Sequence, residues 1–220
     1  MIIQIYEVNN PKEAEKLAEL GVDHVGALVG KGKCARGLTI KEAQELFRLF
    51  PKGVKKVALY LQSNLKEIKE LVRKINPDIL HLAVVPEKIS PKETKKIKKL
   101  FPGLKVMRSV PVLNEDSIST AKDYEDAADY LLLDTFESND SQVGATGRTH
   151  NWKISRRIVK SVRIPVILAG GLGADNVEAA IRIVKPAGVD SKTKTDKKGT
   201  HNKDIEKVRE FVNIVRATVL

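Results

Sequence analysis

Eight times along the 220 residues, a short β-branched apolar run is followed by an amphipathic stretch of helical period. The strand candidates are Ile2–Tyr6, His24–Val29, Lys56–Leu61, Ile79–Val84, Lys105–Ser109, Tyr130–Asp134, Pro165–Ala169 and Ala187–Asp190. The helix candidates lie around Pro11–Leu20, Ile40–Leu49, Leu65–Ile75, Pro91–Leu100, Glu115–Ala127, Trp152–Ser161, Ala174–Val184 and Asp204–Thr218. Near-continuous apolar runs such as VILA and YLLLD suit strands covered on both faces, and strand–helix alternation implies parallel crossovers. Eight units in this length predict an α/β protein with a single-domain (β/α)8 barrel spanning residues 1–220. A doubly wound open sheet is the alternative, but it would carry a Gly-rich turn after the first strand, where Glu7-Val8-Asn9-Asn10 stands.

Helix starts carry their own signals. Thr39 with Glu42, Asn64 with Glu67 and Ser90 with Glu93 read as capping-box pairs, and Asn10 precedes a proline suited to the first helical position. With 39 Lys+Arg against 28 Asp+Glu the formal charge is +11, which raises the question of nucleic acid. The lysines interleave with Glu at helical spacing, however, and 5% aromatics leave little for stacking bases, so most of the charge reads as solvated surface. A Lys/Glu-rich chain with one Cys and two Met also resembles hyperthermophile surfaces. The lone Cys34 excludes an internal disulfide and a Cys-rich zinc cluster, and no apolar run approaches a membrane span. The first residues lack a basic region and long apolar stretch, so a cytoplasmic location is expected.

In such barrels chemistry sits at the C-terminal ends of the strands, with phosphate after strands seven and eight. Strand seven runs into Ala169-Gly170-Gly171-Leu172-Gly173 just before a helix expected near Ala174, a place where backbone and free amides can approach an anion. Lys192 and Lys194 follow strand eight, where either could bind phosphate as a point charge. Asp134 closes the apolar sixth strand, where desolvation would raise its pKa and fit it to act as a general acid. Gly144 and Gly147 lie in a long loop that could cover a substrate, and Arg36 in GKGKCARG could clamp a carboxylate or phosphate. His81, on strand four, is a further candidate for contact with substrate.

At these residues the chain resembles the phosphoribosylanthranilate isomerase family. The resemblance rests on LLLD followed by GATGRTHNW, on PVILAGGLGADNVEAAI with KPAGVD, and on the C-terminal helix, and more loosely on LAELGVDHVGALV and CARGLTIKEA. It implies an Amadori rearrangement of a phosphoribosylated arylamine in tryptophan biosynthesis, in a monomer or homodimer acting on a phosphorylated small molecule without cofactor or metal. Carried onto this chain, Asp134 becomes the acid that protonates the furanose oxygen and Arg36 the clamp on the anthranilate carboxylate. Gly170, Gly171 and Gly144 become parts of the phosphate and substrate loops. The family's first strand reads KICG with a base cysteine, whereas Gln4-Ile5-Tyr6-Glu7 stands here, so Tyr6 occupies the base position and Glu7 is the alternative base. The family's QLHG is His81-Leu82-Ala83-Val84, and its phosphate-approaching glycine after strand eight is Lys194. Three readings follow: an isomerase with a substituted base, a relative acting on another phosphorylated sugar, or a non-catalytic barrel that binds a phosphorylated ligand or nucleic acid.

Overall fold

The structure, a computed structural model, describes residues 1–30, 37–135 and 148–218. Eight parallel strands close a barrel in chain order: β1 (Ile2–Tyr6), β2 (His24–Val29), β3 (Lys55–Tyr60), β4 (Ile79–Leu82), β5 (Lys105–Pro111), β6 (Tyr130–Asp134), β7 (Val166–Leu168) and β8 (Gly188–Ser191). The helices that return the chain are α1 (Pro11–Glu19), α2 (Ile40–Arg48), α3 (Leu65–Ile75), α4 (Pro91–Leu100), α5 (Asp116–Tyr124), α6 (Trp152–Ser161), α7 (Val177–Val184) and α8 (Ile205–Thr218). Closure is made by β1 against β8, from Ile2 opposite Gly188 to Ile5 opposite Ser191. That pairing removes the open-sheet alternative.

Burial divides the strand residues by face, as the period of two demands. Outward side chains such as Ile3, Ile5, Val25, Leu131 and Leu133 pack under the helices, and so do Ala58, Leu80 and Val106 on the other side. Inward side chains, among them Leu28, Val57, Ile79, Met107, Leu132 and Ile167, fill the barrel itself. A polar column shares that interior: Gln4, His24, His81, Ser109 and Asp190 are all buried. Outside the barrel, the buried Arg108 donates to the carbonyls of Leu82, Val84 and Ile89 and lies 4.7 Å from the Tyr124 ring, tying the connection before α4 to β5.

The capping residues do most of what their types predict. Thr39–Glu42 and Ser90–Glu93 form reciprocal capping boxes, and the Asn10 side chain accepts from the Glu13 amide with Pro11 in the first turn. Asn64 caps α3 through the Lys66 and Glu67 amides, but Glu67 accepts from the Tyr60 hydroxyl at 2.6 Å instead of completing a box.

Several boundaries move. β3 is shifted one residue earlier, β4 stops at Leu82, β5 runs on to Pro111, and α5 covers only Asp116–Tyr124. One shift bears on the site: α7 begins at Val177, not near Ala174. The Asn176 side chain takes the intervening turn, accepting from Gly173 N at 3.0 Å and donating to Gly171 O at 3.0 Å. The glycine turn is therefore braced by Asn176, the residue just before α7.

Candidate active site

The mouth of the barrel is built by the ends of β6, β7, β8 and β1. Asp134 ends β6, where Thr135 donates to its Oδ1 from the backbone amide at 2.7 Å and from the hydroxyl at 3.3 Å. Both bonds lower its pKa, yet burial outweighs them and pushes the carboxyl up to about 7. Across from it the chain turns through Gly170 (φ +85°) and Gly171 (φ +61°), both left-handed. Gly170 has no room for a side chain, because a Cβ there would stand 2.9 Å from His150 Nδ1 and 3.3 Å from Asp134 Oδ1. A small cleft joins Asp134, Gly170 and Gly171 to Asp190, Lys192 and Lys194.

The two lysines differ. Lys194 is half-exposed on the rim and pairs with Asp175 at 2.9 Å. Lys192 is largely buried, 3.0 Å from Asp196 and 3.9 Å from Glu7, and shares a hydrogen bond with His201 Nδ1 at 3.0 Å. Asp196 also pairs with the fully buried Lys203, whose pKa burial lowers against the pull of Asp196. Two cations thus converge on one carboxylate beneath the mouth, and Glu7, next after β1, stands beside the outer one.

Tyr6 and His81 belong to another arrangement. Tyr6 is 4% exposed, and its ring lies so close over β2 that a Cβ on Gly26 would fall 1.9 Å from it. Its hydroxyl bonds His81 Nδ1 at 2.7 Å, and His81 Nε2 bonds Ser109 Oγ at 2.7 Å. Burial pulls the imidazole down to about 3, with the Arg108 charge adding to it, so the ring is neutral and both nitrogens are occupied. Burial and the Asp190 charge push the Tyr6 phenol well above its ordinary range, which makes it a poor acceptor of protons. His81, the candidate substrate contact, bridges Tyr6 to Ser109 inside the barrel.

Two residues join the mouth that sequence reasoning did not assign to a site. Asp190, on β8, accepts from Gln4 Nε2 at 3.1 Å, and burial with the Asp134 charge raises its pKa well above the carboxylate range. It closes AGVD just as Asp134 closes LLLD, and that repeated pattern was the available signal. His150 bonds Ser155 Oγ through Nε2 at 2.8 Å, while its buried Nδ1 faces Gly170 with no hydrogen-bond partner. Nothing in the sequence marks it. Cys34, Arg36, Gly144 and Gly147 lie outside the described residues. Among the described residues no three His, Cys, Asp or Glu side chains are grouped to hold a metal ion, and no helix is long and apolar enough to cross a membrane.

Comparison with known proteins separates the candidates. The N-(5'phosphoribosyl)anthranilate (PRA) isomerase family profile matches residues 3–214. The chain belongs to that family. N-(5'-phosphoribosyl)anthranilate isomerase of Methanocella arvoryzae is 36% identical over 220 residues, covering 98% of each chain. A second such protein, from Methanosarcina mazei, is 34% identical over 97% of this chain and 93% of its own. The solved Pyrococcus furiosus N-(5'-phosphoribosyl)anthranilate isomerase superposes with a TM-score of 0.79 at 25% identity, over 99% of both chains. Within a PRA isomerase barrel, then, Tyr6 fills the end of β1 and Glu7 is the first carboxylate beyond it.

Proposed function

We propose that this chain catalyses the Amadori rearrangement of N-(5'-phosphoribosyl)anthranilate in tryptophan biosynthesis, with Asp134 as general acid and Glu7 as general base. The observation that carries the reading is the Asp134 carboxyl, raised to about 7 at the barrel mouth beside the left-handed glycine turn. An acid with that pKa is half-protonated at neutral pH, near the optimum for giving and regaining a proton in each cycle.

The sequence of steps balances without a redox partner. Asp134 gives its proton to the furanose ring oxygen as the C1'–O bond breaks, leaving an iminium between C1' and the anthranilate nitrogen. Glu7 removes the C2' proton, and the electron pair moves to form the enol-amine. Tautomerisation then gives the 1-amino-1-deoxyketose and returns the proton. Lys192 stands 3.9 Å from Glu7. Asp190, whose pKa is raised by burial and by the Asp134 charge, lines the cleft where the sugar would sit. The phosphate rests on the Gly170–Gly171 turn with Lys192 and Lys194 near it. Arg36, Gly144 and Gly147 complete the reading as carboxylate clamp and covering loop. The protein acts on this phosphorylated small molecule as a monomer or homodimer.

One observation favours a second reading, action on a different phosphorylated sugar: Tyr6 fills the position of the family's base. Assay of the purified chain with N-(5'-phosphoribosyl)anthranilate decides between them. Turnover that Asp134→Asn lowers by about 10²–10⁴-fold supports the isomerase. Thermal stabilisation by ribose 5-phosphate without any turnover would support the second reading and overturn the first.

A further inference from the structure

A second cavity lies away from the mouth. It opens at the opposite, N-terminal end of the barrel, with a volume of about 630 Å³, within the range of small-molecule sites. Its wall is made where β2, β3, β4, β5 and β6 begin, together with the ends of α3 and α4. Four cations line it, Lys55, Lys56, Arg73 and Lys105, against the single carboxylate of Asp78. Asp78 is engaged with the Lys56 backbone amide at 2.8 Å. Lys105 reaches Asp129 at 3.4 Å, while Lys55, Lys56 and Arg73 meet no described carboxylate within 4.0 Å. The apolar part of the wall is aromatic and aliphatic: Phe101, Tyr130 and Leu100, which is 49% exposed.

One wall residue is buried and wired through the barrel. The His24 ring stands edge-on to Tyr130, with centroids 5.8 Å apart. Its Nδ1 donates to Gln4 Oε1 at 3.1 Å, and Gln4 Nε2 donates to Asp190 Oδ1 at 3.1 Å. Gln4 must spend its amide nitrogen on Asp190 and its oxygen on His24, so the imidazole carries its proton on Nδ1. The column from the basal cavity to the mouth is therefore three side chains long. The charges facing His24 are Asp23 and Asp78, which favour its cation, and Lys55, which opposes it; burial prevails and holds it near 4.

We propose that the basal cavity is a second ligand site, for a nucleoside monophosphate, and that its occupancy is communicated to the mouth through His24, Gln4 and Asp190. The phosphate dianion is matched by the excess of cations and the base by the Phe101–Tyr130 wall. An anion beside His24 favours its protonated form. The charged ring donates more strongly to Gln4, which polarises the amide and strengthens its bond to ionised Asp190. A more negative mouth holds a sugar phosphate less well. The communication rests on the reading of Asp190 as part of the active site, whereas the binding site does not.

The test is a titration that needs no turnover. AMP, inorganic phosphate and ribose 5-phosphate are each titrated into the full chain by calorimetry, with the His24 ring signal followed by NMR at pH 5.5. AMP is expected to bind at least tenfold tighter than phosphate and to shift His24 towards its protonated form. Lys55→Glu with Arg73→Glu should weaken AMP at least tenfold, and Gly171→Asp at the mouth should leave it unchanged. Saturating AMP should weaken ribose 5-phosphate several-fold and then level off, where competition at one site would continue to grow. No AMP binding, equal affinity for phosphate, indifference to the cavity charges or loss with Gly171→Asp overturns the site. Ribose 5-phosphate affinity that ignores AMP overturns the communication.

Discussion

The two sides of the barrel mouth are built on opposite principles. Along β6, β7 and β8 the chain leaves carboxylates and left-handed glycines facing a cleft, with Asp134 and Asp190 both raised by burial. Along β1, β4 and β5 the interior is closed by Tyr6, His81 and Ser109, whose hydrogen bonds are all made within the protein. The first side holds polar groups in energetically costly states that a reaction can use. The second satisfies its polar groups with one another, as a core does. The difference teaches that the polar groups of one side are open to a ligand while Tyr6 on the other is committed to packing, which is why the proposed mechanism assigns the base to Glu7 and not to Tyr6.

The largest expected effects come from that assignment. Glu7→Gln should lower kcat by about 10²–10⁴-fold, as loss of a general base does, with KM changed little. Steady-state kinetics on N-(5'-phosphoribosyl)anthranilate check this. An undiminished rate would return the base to the Tyr6 side.

The packing half makes a stability prediction. Gly26→Ala places a methyl where the Tyr6 ring already lies, and should cost about 1–3 kcal/mol by overpacking. In a Tyr6→Cys background the same substitution should cost much less, so a double-mutant cycle read by chemical denaturation would show strong coupling. Additive costs would break the account of Tyr6 as a ring wedged over β2.

A smaller effect separates the acid half by pH. Burial holds the Asp134 carboxyl in the folded protein at about 7, above its ordinary 3.8, so its ionised form is disfavoured there. The destabilisation is complete above pH 7 and disappears as pH falls through 7 towards 3.8. Asp134→Asn should therefore raise stability by roughly 1–3 kcal/mol at pH 8 and by little at pH 4, a trade of function for stability. Thermal melts at the two pH values read this directly. The same titration gives activity a basic limb near pH 7, where the acid loses its proton.

Much of this was legible in the residues. The eight alternations name a closed barrel because each apolar strand needs cover on both faces. Asp134 and Gly170-Gly171 were visible because a charge ending an apolar strand and paired glycines before a helix are unusual locally. What stayed hidden depends on contacts between distant strands. That Tyr6 points inward onto Gly26 and bonds His81, 75 residues away, is set by the register of β1, β2 and β4. The three-residue delay of α7 arises because Asn176 satisfies the turn with its side chain, a choice that Ala174-Asp175-Asn176 does not announce. His150 looks like an ordinary loop residue until Gly170 is folded against it.

The central claim is that proton abstraction has moved from the Tyr6 position to Glu7. The most direct measurement is the single-turnover rate of Tyr6→Phe beside that of Glu7→Gln, on substrate carrying deuterium at C2'. The account predicts that Tyr6→Phe retains a rate within about tenfold of the parent, and that Glu7→Gln falls by about 10²–10⁴-fold with a large isotope effect. A Tyr6→Phe chain that is inactive while Glu7→Gln turns over normally would contradict it.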